Sequence, residues 1–292
     1  MPAPRKTLST IFLCAALLVL SVQTKGIGVD TREQASIIPD ELCGSFGSYP
    51  NVLNISAVER QGFHPVVRLP KTPIPVKDNS NRSSMGSPED IQAATKQRAW
   101  KRWWNRVSSK PPFRSGLGAE WSIGKYDENR VAMYTSELFD DTDNQIDGYG
   151  GQRTVHLGVD IGAPVGTKIH AFADGIVHSI GNNADLGDYG YVVVVEHMLP
   201  VSNRSVWALY GHLSKDAILR GRQAGSFVAK GKVIGRIGDC HENGGWKEPH
   251  VHFQLSATPP ETHDMPGACS VEDRGRALLN YPDPRFVLGP VH

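Results

Sequence analysis

From residue 121 onward, short apolar runs alternate with turns rich in glycine, aspartate and asparagine. Residues 168–172 (KIHAF), 175–180 (GIVHSI), 191–196 (YVVVVE), 206–210 (VWALY), 233–237 (VIGRI) and 251–255 (VHFQL) each have the length of a strand. Runs of this kind, separated by turn residues every eight to fifteen positions or so, predict an antiparallel sheet or barrel-like β domain. The upstream pattern differs. Residues 27–86 are loosely patterned; Val66-Val67-Arg68-Leu69 predicts one strand, but Pro65, Pro70, Pro73 and Pro75 forbid a longer one. The polar stretch 78–87 predicts a linker. A helix is then expected over about 88–107: Ser87 can cap it, Pro88 suits its first position, and Glu89 and Asp90 favour its first turn. That helix places Trp100, Trp103, Trp104 and Val107 on one side among Lys96, Lys101, Arg102 and Arg106. Such a stripe either packs on the following domain or makes a weak contact with a membrane or anionic polymer.

The first 26 residues change the picture of location. Arg5 and Lys6 precede the apolar run 11–20, and Ser21, Thr24 and Gly26 follow. This is the order of a secretory signal peptide, and the run is short of the roughly 20 apolar residues of a membrane span. A secreted, extracellular protein is expected; an uncleaved membrane anchor is the alternative. Losing residues 1–26 removes Arg5, Lys6 and Lys25 and no acid, which turns the formal charge from +1 to −2. Neither value calls for a nucleic-acid partner. Cys14 lies in the signal, leaving Cys43, Cys240 and Cys269, of which Cys240 and Cys269 are expected to pair because they flank the last motif. Asn54, Asn81 and Asn203 begin Asn-x-Ser sequons, the acceptor sites of a glycoprotein in a eukaryotic secretory route.

Candidate chemistry sits in three segments of the β-rich part. His156-Leu-Gly-Val-Asp160 offers an imidazole and a carboxylate, and His250-Val251-His252 offers two imidazoles. Residues two apart on a strand project from one face, so His250 and His252 can reach one site. A catalytic zinc takes three such protein ligands and keeps one position open. Tyr210-Gly211-His212-Leu213 follows a predicted strand and can bring a further imidazole to the same rim. His170, His178, His197 and His241 match no motif and are expected to be structural or exposed; if any of them lines the cleft, His241, near the second motif, is expected to be the one. The acidic stretch 140–147 lacks the glycine and glutamate positions of an EF-hand and is expected to be solvated.

Taken together and in this order, residues 156–167 (HLGVDIGAPVGT), the Tyr-Gly-His-Leu segment and residues 243–253 (NGGWKEPHVHF) resemble the lysostaphin-type (LytM-like) zinc metallopeptidases. The resemblance runs from about residue 121 to 288. It implies a mainly β fold: an antiparallel β-sheet groove with loops walling a narrow cleft, preceded by a short helical and irregular N-terminal segment. With the signal at 1–26 and the N-terminal segment at 27–115 read from the residues, the resemblance implies a zinc metallopeptidase domain at 116–290. One Zn2+ ion would be held by His156, Asp160 and His252, with His212 and His250 as the catalytic pair of an endopeptidase using metal-activated water. A peptide or peptidoglycan substrate is implied. The alternative is a zinc-containing binding module on the same fold that does not hydrolyse. The N-terminal segment is long enough to act as an inhibitory propeptide.

Overall fold

A computed structural model of the chain describes residues 57–80, 121–134, 136–140, 148–219 and 222–291. The signal segment, the Trp-rich helix with Trp100, Trp103 and Trp104, Cys43, Asn54, Asn81 and nearly all of the acidic stretch lie outside the described residues.

The predicted strands form, most of them longer than their apolar runs. In chain order the strands are β1 (Val76–Lys77), β2 (Ser122–Gly124), β3 (Val155–His156), β4 (Val159–Gly162), β5 (Lys168–His170) and β6 (Gly175–Asn183). They continue with β7 (Gly190–Met198), β8 (Ser205–Leu213), β9 (Phe227–Val228), β10 (Val233–Arg236), β11 (His250–Ser256) and β12 (Ala268–Cys269). Eight of them make one sheet in the order β1-β2-β4-β11-β8-β7-β6-β9. Only β1 and β2 run parallel; every other neighbouring pair is antiparallel. The fold is mainly β, and among the described residues the helices are short, such as Arg274–Asn280.

Alternation explains which face carries what. On β11, Val251, Phe253 and Leu255 enter the larger core with Phe172, Val195, Ala208 and Tyr210. Their neighbours His250, His252 and Gln254 face the other side. Strand β7 is apolar on both faces: Val193 and Val195 join that core, while Val192 and Val194 pack with Tyr149, Tyr189, Leu209 and Met265. A fully buried valine contributes about 1.5–3 kcal/mol, so the VVVV run anchors both layers. The site therefore stands on rigid strands with a packed layer behind each.

Two expectations are corrected. Val66–Leu69 forms no strand; Val66 and Val67 sit in a bend with both side chains buried. Prolines 65 and 70 bracket this stretch, and the segment instead lends His170 N–H a carbonyl from Val66. Cys240 and Cys269 form no disulfide with each other. Cys269 is sealed in the second core on β12, paired opposite Val155, and burial pushes its thiol up to about 12. Residues 57–80 pack on the sheet: β1 extends its edge, Phe63 meets Phe172, and the Glu59 carboxylate accepts the N–H groups of Val201 and Ser202.

Candidate metal centre and cleft

Antiparallel pairing sets His252 directly opposite Asp160 and His250 opposite Gly162. His156 reaches the same point from β3, four residues before Asp160. His156 Nε2, His252 Nδ1 and Asp160 Oδ1 lie 3.0, 3.1 and 3.2 Å from one another. Gly158 makes this approach possible, since a Cβ there would stand 2.4 Å from His252 Cε1.

The outer atoms of the three side chains are all committed. His156 Nδ1 is 2.7 Å from the Lys125 carbonyl, which can only accept, so that nitrogen carries the proton. The Gln254 amide donates to the Pro266 carbonyl and turns its oxygen to His252 Nε2 at 2.9 Å, so that nitrogen is protonated too. Two imidazole lone pairs and a carboxylate oxygen are thus aimed at one another at about 3 Å, an arrangement that repels itself without a cation between. Burial, with the nearby Arg130 charge adding to it, lowers His156 to about 4, so a proton on that ring does not fill the role near neutral pH. Zinc–nitrogen bonds of about 2.0–2.1 Å in a tetrahedron put neighbouring donors about 3.3 Å apart, close to the spacing here. The donor set fits one zinc ion.

His212 and His250 flank this point, their rings 4.3 Å apart, and His250 Nε2 stands 4.0 Å from Asp160 Oδ1. His212 has a positive φ of 59°. The β7–β8 register slips between Tyr191 and Val193, and this bulge turns the His212 side chain toward the cleft. Its Nδ1 donates to the Asn243 carbonyl at 2.8 Å; His250 Nδ1 donates to the Glu248 carbonyl at 2.7 Å. Both rings therefore present a bare Nε2. Burial lowers the pKa of both, and the neighbouring His250 and His252 push His212 further down, so both are neutral bases near pH 7.

A cleft open to solvent is lined by Asp160, His212, His250 and His252. Met133, Tyr134, Phe139 and Trp246 line one part of it, and Lys77, Glu248, Asp188 and Asp264 supply its charge. The structure brings together all five residues singled out from the sequence. His241 is not among the lining residues; it sits against Asp239 in the turn after β10. His170, His178 and His197 are held by the carbonyls of Gly231, Pro260 and Asp174, in keeping with structural roles.

Sequence reasoning missed Gln254 and Arg130. Gln254 was discoverable, because it lies two residues beyond His252 on the same face of a strand. Arg130 carried no signal: it is 1% exposed, 30 residues before Asp160, and its guanidinium binds Asp160 Oδ2 at 2.6 Å.

Fold and site together give a mainly β domain with a three-donor cluster, able to hold a metal ion, beside an open cleft. Residues 154–263 match the family described as Peptidase family M23, a stretch holding all five site residues. The DD-carboxypeptidase/endopeptidase Mpg of Neisseria meningitidis serogroup B is 35% identical over 100 residues, covering 34% of this chain and 20% of that protein. The peptidoglycan DD-endopeptidase ShyC of Vibrio cholerae is 31% identical over 130 residues, covering 43% of this chain and 27% of that protein. Among solved structures, Csd3 of Helicobacter pylori is 34% identical with a TM-score of 0.28, covering 37% of this chain and 25% of that one. The matches thus span about a fifth to a quarter of these relatives' own length. Residues 154–263 are thus similar to the peptidase domains of family M23.

Proposed function

We propose that this domain is a zinc-dependent endopeptidase, with one ion held by His156, Asp160 and His252 and with His212 and His250 as its catalytic pair. The observation that carries this reading is the convergence of two imidazole lone pairs and one carboxylate oxygen whose outer atoms are locked by Lys125, Gln254 and Arg130. When bound, zinc supplies a Lewis acid that polarises a carbonyl and makes a neighbouring water acidic. The chain's own residues do the rest. His212 and His250 each offer a neutral Nε2 to take the proton of the attacking water. The ring that has become charged then donates, either to the oxygen that gathers negative charge or to the leaving amine. Backbone carbonyls fix both rings through Nδ1, so neither needs to turn before the proton moves.

Peptidoglycan peptides are the proposed substrate, supported by the relatives named for endopeptidase action on peptidoglycan and by an open cleft lined with both aromatic and charged side chains. Export through residues 1–26 would put the domain where such a substrate is found.

Purified protein should bind one zinc per chain and release soluble fragments from purified peptidoglycan, with a chelator stopping the release. His250→Ala should keep the metal and lose about 10²–10⁴-fold in rate, the range of a general acid–base group. Zinc bound at full stoichiometry with no cleavage of peptidoglycan or of a broad peptide panel would favour a binding module instead.

A further inference from the structure

We propose that Asn79 and Glu128 act through Arg130 as a buried strut that holds Asp160 to one-oxygen ligation, so that the segment around β1 is a working part of the metal centre. This rests on the zinc reading above and adds residues that lie outside the family match.

The strut is a continuous hydrogen-bonded line. Asn79 donates its backbone N–H to Glu128 Oε1 at 3.0 Å and its side-chain amide to Oε2 at 3.3 Å. Glu128 Oε2 also takes Arg130 Nε at 2.9 Å, and Arg130 Nη1 reaches Asp160 Oδ2 at 2.6 Å. Asn79, Glu128 and Arg130 are all more than nine-tenths buried. A guanidinium taken out of water needs committed acceptors, and this one finds a carboxylate on either side as well as the Lys125 carbonyl at 3.3 Å. The planar fork fixes directions as well as charge, which an ammonium at the same place would not.

The consequence for Asp160 is geometric. With Oδ2 pinned by Arg130, only Oδ1 faces His156 and His252. A carboxylate so held cannot chelate with both oxygens, and the three-ligand set keeps an open position for water and substrate. Strand register brings the parts into line: Lys77 is opposite Gly124, Gly124 opposite Asp160, and Asp160 opposite His252. Gly124 is required where the line crosses β2, since a Cβ there would lie 2.7 Å from Arg130 Nη2 and 2.9 Å from Asp160 Oδ2. The Lys125 carbonyl, next along the chain, holds His156. One stretch of backbone therefore supports two of the three ligands, and Asn79 clamps it from the N-terminal side.

The test is zinc affinity of the full chain, measured by competition with a chromophoric chelator, alongside kcat and KM. Arg130→Met should weaken zinc binding about 10- to 100-fold, as loss of a ligand's supporting partner typically does. Asn79→Ala and Glu128→Gln should weaken it by smaller factors, about 3- to 10-fold on the same scale, and lower kcat more than KM. Arg130→Lys should restore charge but only part of the affinity. Asn79→Ala combined with Arg130→Lys should be non-additive in zinc affinity, because both act through one line. Asn79→Ala keeps the test open if the arginine variants do not fold. If the parent binds zinc and folded Asn79→Ala and Glu128→Gln match it in affinity and kcat, the strut is wrong while the zinc reading stands. A parent chain that binds no zinc overturns both.

Discussion

Two walls of the cleft were built in different ways. One is made by β3, β4, the end of β8 and β11, and carries His156, Asp160, His212, His250 and His252 within the family match. The other is made by residues 76–80, 121–134 and 136–140, outside that match; Lys77, Asn79, Arg130 and Tyr134 line it, and Glu128 is bound behind them to Asn79 and Arg130. In the first, function follows from spacing: two residues apart on a strand, or opposite in register. In the second, the outer links of the strut join residues 30 and 49 positions apart, and only Glu128 and Arg130 between them are close in sequence. The chemistry is thus compact in sequence and its support is dispersed. A domain cut to the matched stretch alone would keep His156, Asp160 and His252 and lose the Arg130 guanidinium that binds Asp160.

Breaking the first wall should give the largest effect. Asp160→Asn removes the charged donor while leaving an amide for Arg130 to meet. Zinc titration should then show no binding at micromolar metal, and cleavage should vanish with it. Micromolar zinc binding by this variant would mean that the carboxylate is not a ligand. The contrast with the graded losses expected along the strut separates ligand from support.

A smaller effect is expected where the ligand wall is perturbed without losing a donor. Gly158→Ala puts a methyl 2.4 Å from His252 Cε1, so the ring or the β3–β4 turn must shift to make room. Zinc affinity should fall about 10-fold or more, the scale of losing proper ligand orientation. Circular dichroism should show an unchanged sheet. Unaltered affinity would show that the site relaxes freely.

Most of this first wall was legible in the sequence. The apolar runs marked β6, β7, β8 and β11, and the motif residues lie on or beside them. The short strands β1, β2, β9 and β12 were not, because two or three residues carry no detectable alternation and owe their pairing to neighbours already in place. The bulge that turns His212 inward was hidden for the same reason: it is a property of the β7–β8 register. Val66 and Val67 read as a strand because they are apolar and β-branched, yet those features report burial as readily as extension. The Cys240–Cys269 expectation rested on position along the chain, which says nothing about whether one thiol is walled into a core.

Acid tests the sheet behind both walls. His197 is fully buried between Phe172 and Tyr210, and burial lowers its pKa from 6.5 to about 4. Above pH 6.5 it is neutral folded or unfolded. As pH falls from there toward 4, the unfolded chain takes up a proton that the folded one refuses, so stability drops. The loss approaches about 3 kcal/mol, since holding a proton off costs roughly 1.36 kcal/mol for every pH unit below the unfolded pKa. Urea melts of metal-free protein at pH 7 and 4.5 should show His197→Gln losing less stability on acidification than the parent. Equal losses would place the acid sensitivity elsewhere, first at His156, the other buried imidazole lowered to about 4.

The smallest effect should come from Lys77, where the second wall meets solvent. Its ammonium pairs with the Glu248 carboxylate, and both side chains keep partial access to water. Such pairs contribute about 0–1 kcal/mol and are screened by salt. The pair nonetheless spans from β1 to the loop whose Glu248 carbonyl holds His250. Lys77→Ala should therefore leave zinc affinity unchanged, because the strut from Asn79 does not pass through it. Any change in KM should stay within about 5-fold, the equivalent of about 1 kcal/mol, and shrink as salt is raised. A drop in kcat of more than about 10-fold, insensitive to salt, would mean that Lys77 fixes the loop behind His250. The second wall would then position a catalytic imidazole as well as a ligand carboxylate.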